Sequence, residues 1–267
     1  MIARATSSQD DDAFIEREGY EILDPVRQLA WRAPYNVCRS ASFASRRDYY
    51  ADALAFAKRI ARAMTEGDVT LLAGTDAGIL PGLVPGLELH RELELLVDGG
   101  LTPFEALRAA TRSPGEYLAR RDEPAFGQVV VGERADLLLL DRNPLMDIAA
   151  TREIHGVIVR GRFLSRAALD SLLANVSARN LRTAVFVERV EGTALEAAAF
   201  ADSVLTTTGR PAFEMAPAVM LAVTLVEADR QADAITVLEA TARAYPDAYL
   251  PGYVLERARQ LGSSLQP

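Results

Sequence analysis

The chain has 267 residues, 49% of them hydrophobic and 25% charged, with a formal net charge of −8. The composition is that of a globular protein. With a pI near 5.0 and no Lys/Arg block, nucleic acid and anionic membrane surfaces are excluded as expected partners. Cys38 is the only cysteine, so an intrachain disulfide and a CxxC zinc site are excluded too. Cys38 also lies in a polar, Arg-rich stretch without the setting that makes a thiol nucleophilic.

No run reaches the ~18 apolar residues of a membrane span. The start, Met1 to Asp12, carries three consecutive aspartates, Asp10 to Asp12. It lacks the apolar core of a secretory signal. If Met1 is the natural start, the expected compartment is the cytoplasm.

Residues 1–45 read as irregular, with turns at Asp24-Pro25 and Ala33-Pro34 and with Trp31 and Tyr35 packing locally. A helical period over Arg47–Glu66 puts Leu54, Ala57, Ile60, Ala61 and Met64 on one face, and Gly67-Asp68 ends it. Val69 to Ala73 reads as a short buried strand. It runs into Gly74-Thr75-Asp76-Ala77-Gly78 and a Gly/Pro-rich loop, Leu80 to Gly86. Leu89, Leu93, Leu96 and Val97 then mark a helix, stopped by Gly99-Gly100. Thr102-Pro103-Phe104-Glu105 carries an N-cap, a proline at N1 and an acid at N3, a helix start. Ser113-Pro114 opens another short helix. The order strand, loop, helix, helix suits the last unit of an α/β barrel.

After Asp122 the period becomes that of strands: Gly127 to Val131, Ala135 to Leu140 and Ile154 to Arg160, with a hairpin turning at Gly161. From Arg166 it is helical again, with breaks expected near Val185 to Arg189 and at Gly209-Arg210-Pro211. Phe213 to Leu261 reads as three helices, broken at Asp229-Arg230 and at Tyr245-Pro246-Asp247. Ala232, Ile235, Leu238, Glu239, Ala242 and Tyr245-Pro246 resemble the second helix of a tetratricopeptide repeat. Such a unit needs stacked neighbours.

A strand ending in Gly-Thr-Asp places the Asp76 carboxylate at the face where barrel active sites sit. Small residues on both sides let a substrate approach. The competing reading is a turn aspartate. Further pieces follow in order: His90 to Val97, Gly100 to Leu107, Ala109-Ala110-Thr111, Gly127, Gly132, Ala135-Asp136-Leu137, Asn143-Pro144-Leu145 and Val157 to Gly161. This collinear set resembles the amidohydrolase superfamily, in its imidazolonepropionase- and prolidase-like branch. The likeness covers roughly residues 45–170.

The resemblance implies an architecture. It is an α/β fold made of the carboxyl-terminal part of a TIM-like (β/α)8 barrel (1–121), part of a small β-sandwich domain (122–170), and an α-helical, repeat-like tail (171–267). It also implies a chemistry, in which Asp76 binds a divalent metal, commonly zinc. The metal lowers the pKa of a bound water, and Asp76 moves the proton from that water to the leaving nitrogen. The expected substrate is a small amide, lactam or dipeptide. His90, beside the apolar stripe of its helix, is either a boundary residue or part of the substrate mouth. His155, on a strand, is expected to be structural, and Asp136 architectural.

The sequence departs from the family at the other ligands. The family also uses a His-X-His, a Lys or Glu, and two single histidines. This chain has two histidines, His90 and His155, both after Asp76, and one lysine, Lys58, inside a helix. The first six or so barrel units are expected to be missing. The chain alone is expected to hold zinc weakly or not at all. Three states are therefore open: the carboxyl-terminal portion of an enzyme, half of a split enzyme completed by another chain, and an inactive partner-binding fragment. Homo-oligomerisation is a further expectation.

Overall fold

The computed structural model describes residues 18–25, 27–28, 46–77, 83–118 and 125–263. Trp31, Tyr35 and Cys38 lie outside the described residues. The described residues are mostly helical with one small sheet. They group into two units, 46–173 and 18–28 with 174–263.

In the first unit, helix α1 (Arg47–Glu66) has the predicted bounds. It is an Ala-rich run without Gly or Pro, ended where the Gly67 N–H turns back to the Ala63 carbonyl. Its expected inner face is only half covered, since Ala57 and Ile60 are exposed. Helix α2 (Leu87–Asp98) follows Gly86, whose φ of 88° suits a residue without Cβ. Helix α3 (Pro103–Ala110) opens on a complete capping box. Thr102 Oγ1 accepts the Glu105 N–H, and Glu105 Oε2 accepts the Thr102 N–H at 2.7 Å. Helix α4 (Arg112–Leu118) follows at once. Leu93 of α2, Ala106 of α3 and Ile148 form one core cluster of this unit, joined by half-buried Leu96, Val97, Leu107 and Ala110.

Two glycines let the chain leave the helices. A Cβ on Gly115 would lie 1.9 Å from the Phe126 carbonyl oxygen, and one on Gly127 2.4 Å from that of Thr111. The 125–127 backbone thus passes against α4 and the α3–α4 junction at a distance only glycine permits.

Strands β1 (Leu137–Leu140), β2 (Ile154–Val159) and β3 (Arg162–Ser165) form an antiparallel sheet in the order β1-β2-β3. Leu138 pairs with Val157, and Val157 with Leu164. The predicted hairpin is present. Arg160 and Gly161 both have positive φ, 50° and 80°, the signature of a two-residue type I′ turn. Arg160 tolerates this because Asp136 Oδ1 accepts its N–H at 2.7 Å while the Ala135 carbonyl accepts that of Gly161. Asp136 is architectural, as expected, and the Arg160 N–H holds its carboxyl below the usual range.

Two predicted strands are corrected. Val69–Ala73 and Gly127–Val131 are in no ladder. A strand exists through its pairing, and the described residues offer these segments no neighbour. Instead of being buried, Val69 is 49% and Val131 103% exposed.

The second unit is helical. Helix α5 (Arg166–Gly192) runs through the break expected near Val185–Arg189. The apolar run read there as an interruption instead faces the core, with Phe186, Val187 and Val190 buried. Helix α6 (Ala194–Thr208) is capped by Thr193 and ended by Gly209 at φ 64°. Helices α7 (Met215–Glu227), α8 (Gln231–Ala244) and α9 (Tyr249–Ser263) are the three predicted after Phe213. Asp229, at φ 59°, makes the α7–α8 break. One core spans the unit: Phe186 stacks at 4.2 Å on Phe213, among Val190, Ala197, Leu221, Val237, Leu238 and Leu255. The 3-10 turn Tyr20–Ile22 joins it through Asn180, whose amide donates to the carbonyls of Ile22 and Leu23.

Candidate active site around Asp76

Asp76 ends an extended segment without a sheet. From Leu71 to Ala77 exposure alternates residue by residue, with Leu71, Ala73, Thr75 and Ala77 half-buried and Leu72, Gly74 and Asp76 exposed. That is the period of a strand, kept although no ladder is formed. The side turned inward meets the α3 end, where the Ala73 N–H donates to the Ala109 carbonyl at 2.9 Å.

The backbone at Asp76 is left-handed, φ 54°, a conformation that costs a residue with Cβ about 1 kcal/mol or more. Thr75 shapes it: its Oγ1 accepts the Ala77 N–H at 3.1 Å. The carboxylate itself makes no hydrogen bond or ion pair among the described residues. A turn aspartate would be bonded to its own loop; among the described residues Asp76 is not.

His90 sits on α2. Its Nδ1 lies 3.0 Å from Thr151 Oγ1. The Thr151 hydroxyl also lies 2.9 Å from the Ile148 carbonyl, to which it donates. Arg152 Nε donates to Glu94 Oε1 at 2.8 Å. Together these bonds fasten α2 to the 3-10 helix Ile148–Arg152. His90 is thus a fastening between two elements. His155 is exposed on β2, with Nδ1 3.0 Å from Asp141 Oδ1. Lys58 pairs with Asp98. Asp76, His90 and His155 do not converge, and no group of three or more His, Cys, Asp or Glu that could hold a metal occurs among the described residues. The described residues therefore do not amount to a metal site.

Two features of α2 were not read from the sequence. Burial raises the carboxyl of Glu92 above its usual range, and Arg91 Nε is buried without a hydrogen-bond partner among the described residues. The signal was present: Glu88 and Glu92 lie one turn apart beside Leu89 and Leu93, so one acidic row borders the apolar stripe. Glu88 is indeed buried. A cleft lies at the other end of the extended segment, lined by Asp68, Thr70, Leu71, Glu105, Arg108 and Ser113 among others. Asp76 does not line it. No described helix is long and apolar enough to cross a membrane.

Residues 55–164 match the amidohydrolase family model, a span that holds the extended segment, Asp76, α2 to α4 and most of the sheet. Over this span the chain is similar to the amidohydrolase family. Ochratoxinase of Aspergillus niger is 39% identical over 85 residues, which are 32% of this chain and 16% of that protein. The chain thus spans less than a fifth of the curated relatives it matches. Among solved structures, bottromycin amidohydrolase is 31% identical, covering 66% of this chain and 38% of its own, with a TM-score of 0.49. A molinate hydrolase is 24% identical over 46% of this chain and 29% of its own, with a TM-score of 0.37.

Proposed function

We propose that this chain contributes the Asp76-bearing part of an amidohydrolase acting on a carbon–nitrogen bond in a small amide, lactam or dipeptide. The donors that complete its divalent-metal centre, of which zinc is the expected occupant, would come from polypeptide outside these 267 residues. Extended segment 69–76 would then be the last strand of a TIM-like barrel, with its neighbours on that other polypeptide. The observation that carries the reading is the state of Asp76: exposed, left-handed at φ 54°, unbonded among the described residues, and inside the matched span. A strained residue whose carboxylate has no bond among the described residues is the kind kept for function. Among the described residues the donors are too few for a metal centre. His90, fastened to Thr151, has a supporting part at most in substrate affinity.

The test has two stages. Purified chain, dialysed after exposure to zinc, is expected to hold far less than one zinc per chain and to hydrolyse no member of a panel of acylated amino acids, dipeptides and lactams. One tightly held zinc would overturn the outside-donor reading. Next, the DNA upstream of the Met1 codon and the adjacent genes are read for a His-X-His-bearing barrel segment, which is then coexpressed. Asp76→Asn should lower turnover of the reconstituted enzyme by about 10²–10⁴-fold, the usual weight of a lost acid–base group, while His155→Ala stays close to the parent. Near-full activity of Asp76→Asn sinks the assignment.

A second reading is favoured by the lack of any three-donor cluster among the described residues. In it the chain is catalytically silent, and its repeat-like helical tail binds a partner. No His-X-His segment at the locus and no zinc under any condition would select it.

A further inference from the structure

We propose that Thr75 is a positioning residue for Asp76: its hydroxyl holds the left-handed turn from which the Asp76 carboxylate is presented. The proposal rests on the reading of Asp76 as the residue that acts, and adds the side chain that aims it.

Asp76 has φ 54°. A residue with Cβ leaves that region unless its surroundings hold it there. Two bonds between described residues flank the position. Before it, the Ala73 N–H donates to the Ala109 carbonyl at 2.9 Å and ties the extended segment to the end of α3. After it, Thr75 Oγ1 accepts the Ala77 N–H at 3.1 Å. This second bond closes a ring across Asp76. The soft torsions inside that ring are χ1 and ψ of Thr75 and φ and ψ of Asp76. The χ1 of a β-branched residue is stiff, so a ring closed by threonine constrains φ of Asp76 directly.

The two side chains stand on opposite sides of the segment. Thr75 is half-buried on the side of Leu71 and Ala73, and Asp76 is exposed with Leu72 and Gly74. The hydroxyl therefore acts from the packed side, through backbone alone, on a carboxylate that it does not touch. Substitutions separate the two properties of threonine. Serine keeps the acceptor oxygen and loses the branch. Valine keeps the branch and loses the acceptor, which frees the Ala77 N–H and with it the torsions of Asp76.

The first test uses nuclear magnetic resonance on the labelled full chain. In the parent, Asp76 should show the strong intraresidue amide-to-Hα Overhauser contact of a positive φ. Thr75→Val should lose that contact and speed amide exchange at Ala77, with helicity by circular dichroism unchanged. Thr75→Ser should keep both signals. The second test uses the enzyme completed by coexpression of the His-X-His-bearing segment. There Thr75→Val should lower kcat by about 10²-fold, the weight of a misplacement of about 1 Å, with KM little changed. Thr75→Ser should recover most of that loss. A positive φ at Asp76 that survives Thr75→Val overturns the proposal. So does a Thr75→Val enzyme as fast as the parent while Asp76→Asn is slow. If both variants run at the parent's rate, the reading of Asp76 itself falls, and the role of Thr75 falls with it.

Discussion

The unit of 18–28 and 174–263 and the unit of 46–173 differ in what they finish for themselves. The helical unit closes one core, with Phe186, Leu221 and Leu238 at 0% exposure. Among the described residues, the unit that carries the family pattern buries fewer apolar side chains: Leu83, Val84, Leu93, Leu101, Ala106, Ala109, Ile148 and Ala150. It leaves Val129, Val130 and Val131 open, and its edge strand bears four consecutive leucines. Adjacent strand residues face opposite ways, so exposed Leu138 and Leu139 leave both faces of β1 in need of cover. The difference teaches where the folding energy is. Buried apolar area is the dominant favourable contribution, and among the described residues the tail has more of it than the family segment.

The largest way to break this comparison is Phe186→Ala. Phe186 is fully buried and stacked on Phe213, so removing it should cost about 3–5 kcal/mol. Urea unfolding followed by far-UV circular dichroism would show it. Leu72→Ala, at an exposed position of the other unit, should change the same midpoint little. Equal losses would mean that the two units share one stability.

Next comes the cap of α3. Thr102→Ala removes the acceptor of the Glu105 N–H and should cost about 1 kcal/mol. The same box makes a pH signature. The Thr102 N–H and hydroxyl hold the Glu105 carboxyl below its usual range. A depressed carboxyl stabilises fully above its unfolded pKa, about 4.3, and the gain is lost as pH falls through the lower folded value. Glu105→Gln should therefore destabilise at pH 7 and match the parent in strong acid. A gap that persists in strong acid would refute the assignment.

Glu92 shows the opposite sign and a smaller effect. Its carboxyl is raised by burial, so the charged form opposes folding at neutral pH, and stability is gained as pH falls through the raised value. Glu92→Gln should raise the midpoint at pH 7 by less than the Thr102→Ala loss, and differ least in acid. A neutral-pH decrease would show that the charge has a partner worth keeping.

How much of this was legible follows the same division. Local chemistry was readable because it acts within a few residues. The box Thr102-Pro103-Phe104-Glu105 and the breaks at Gly67, Gly209 and Asp229-Arg230 need no distant partner. So too the Arg160-Gly161 turn, although the Asp136 carboxylate that steadies it comes from 24 residues away. Pairing was not readable. Val69–Ala73 and Gly127–Val131 have strand composition, but a strand needs a neighbour, and no local signal reports its absence. At the site, Asp76 stood out by its setting after a Gly-Thr step. The fastening of His90 to Thr151, 61 residues on, could not be read from either residue's surroundings.

The smallest expected effect is the most informative about Asp76. Asp76→Gly relieves the left-handed strain at φ 54°, because glycine adopts that conformation freely. It also gives the unfolded chain more freedom, which opposes the gain. The carboxylate makes no hydrogen bond among the described residues, so no bond of theirs is lost. The two effects nearly cancel, leaving the variant as stable as the parent or more stable by a few tenths of a kcal/mol. A structural aspartate behaves otherwise: losing a turn or cap bond costs about 1 kcal/mol. Thr75→Ala is the companion, since it removes the hydroxyl that holds the Ala77 N–H and should loosen the turn. Paired unfolding curves at neutral pH decide between the readings. If Asp76→Gly falls by a full cap's worth while Thr75→Ala does not, the carboxylate belongs to the fold, and the comparison between a finished tail and an unfinished site loses its central residue.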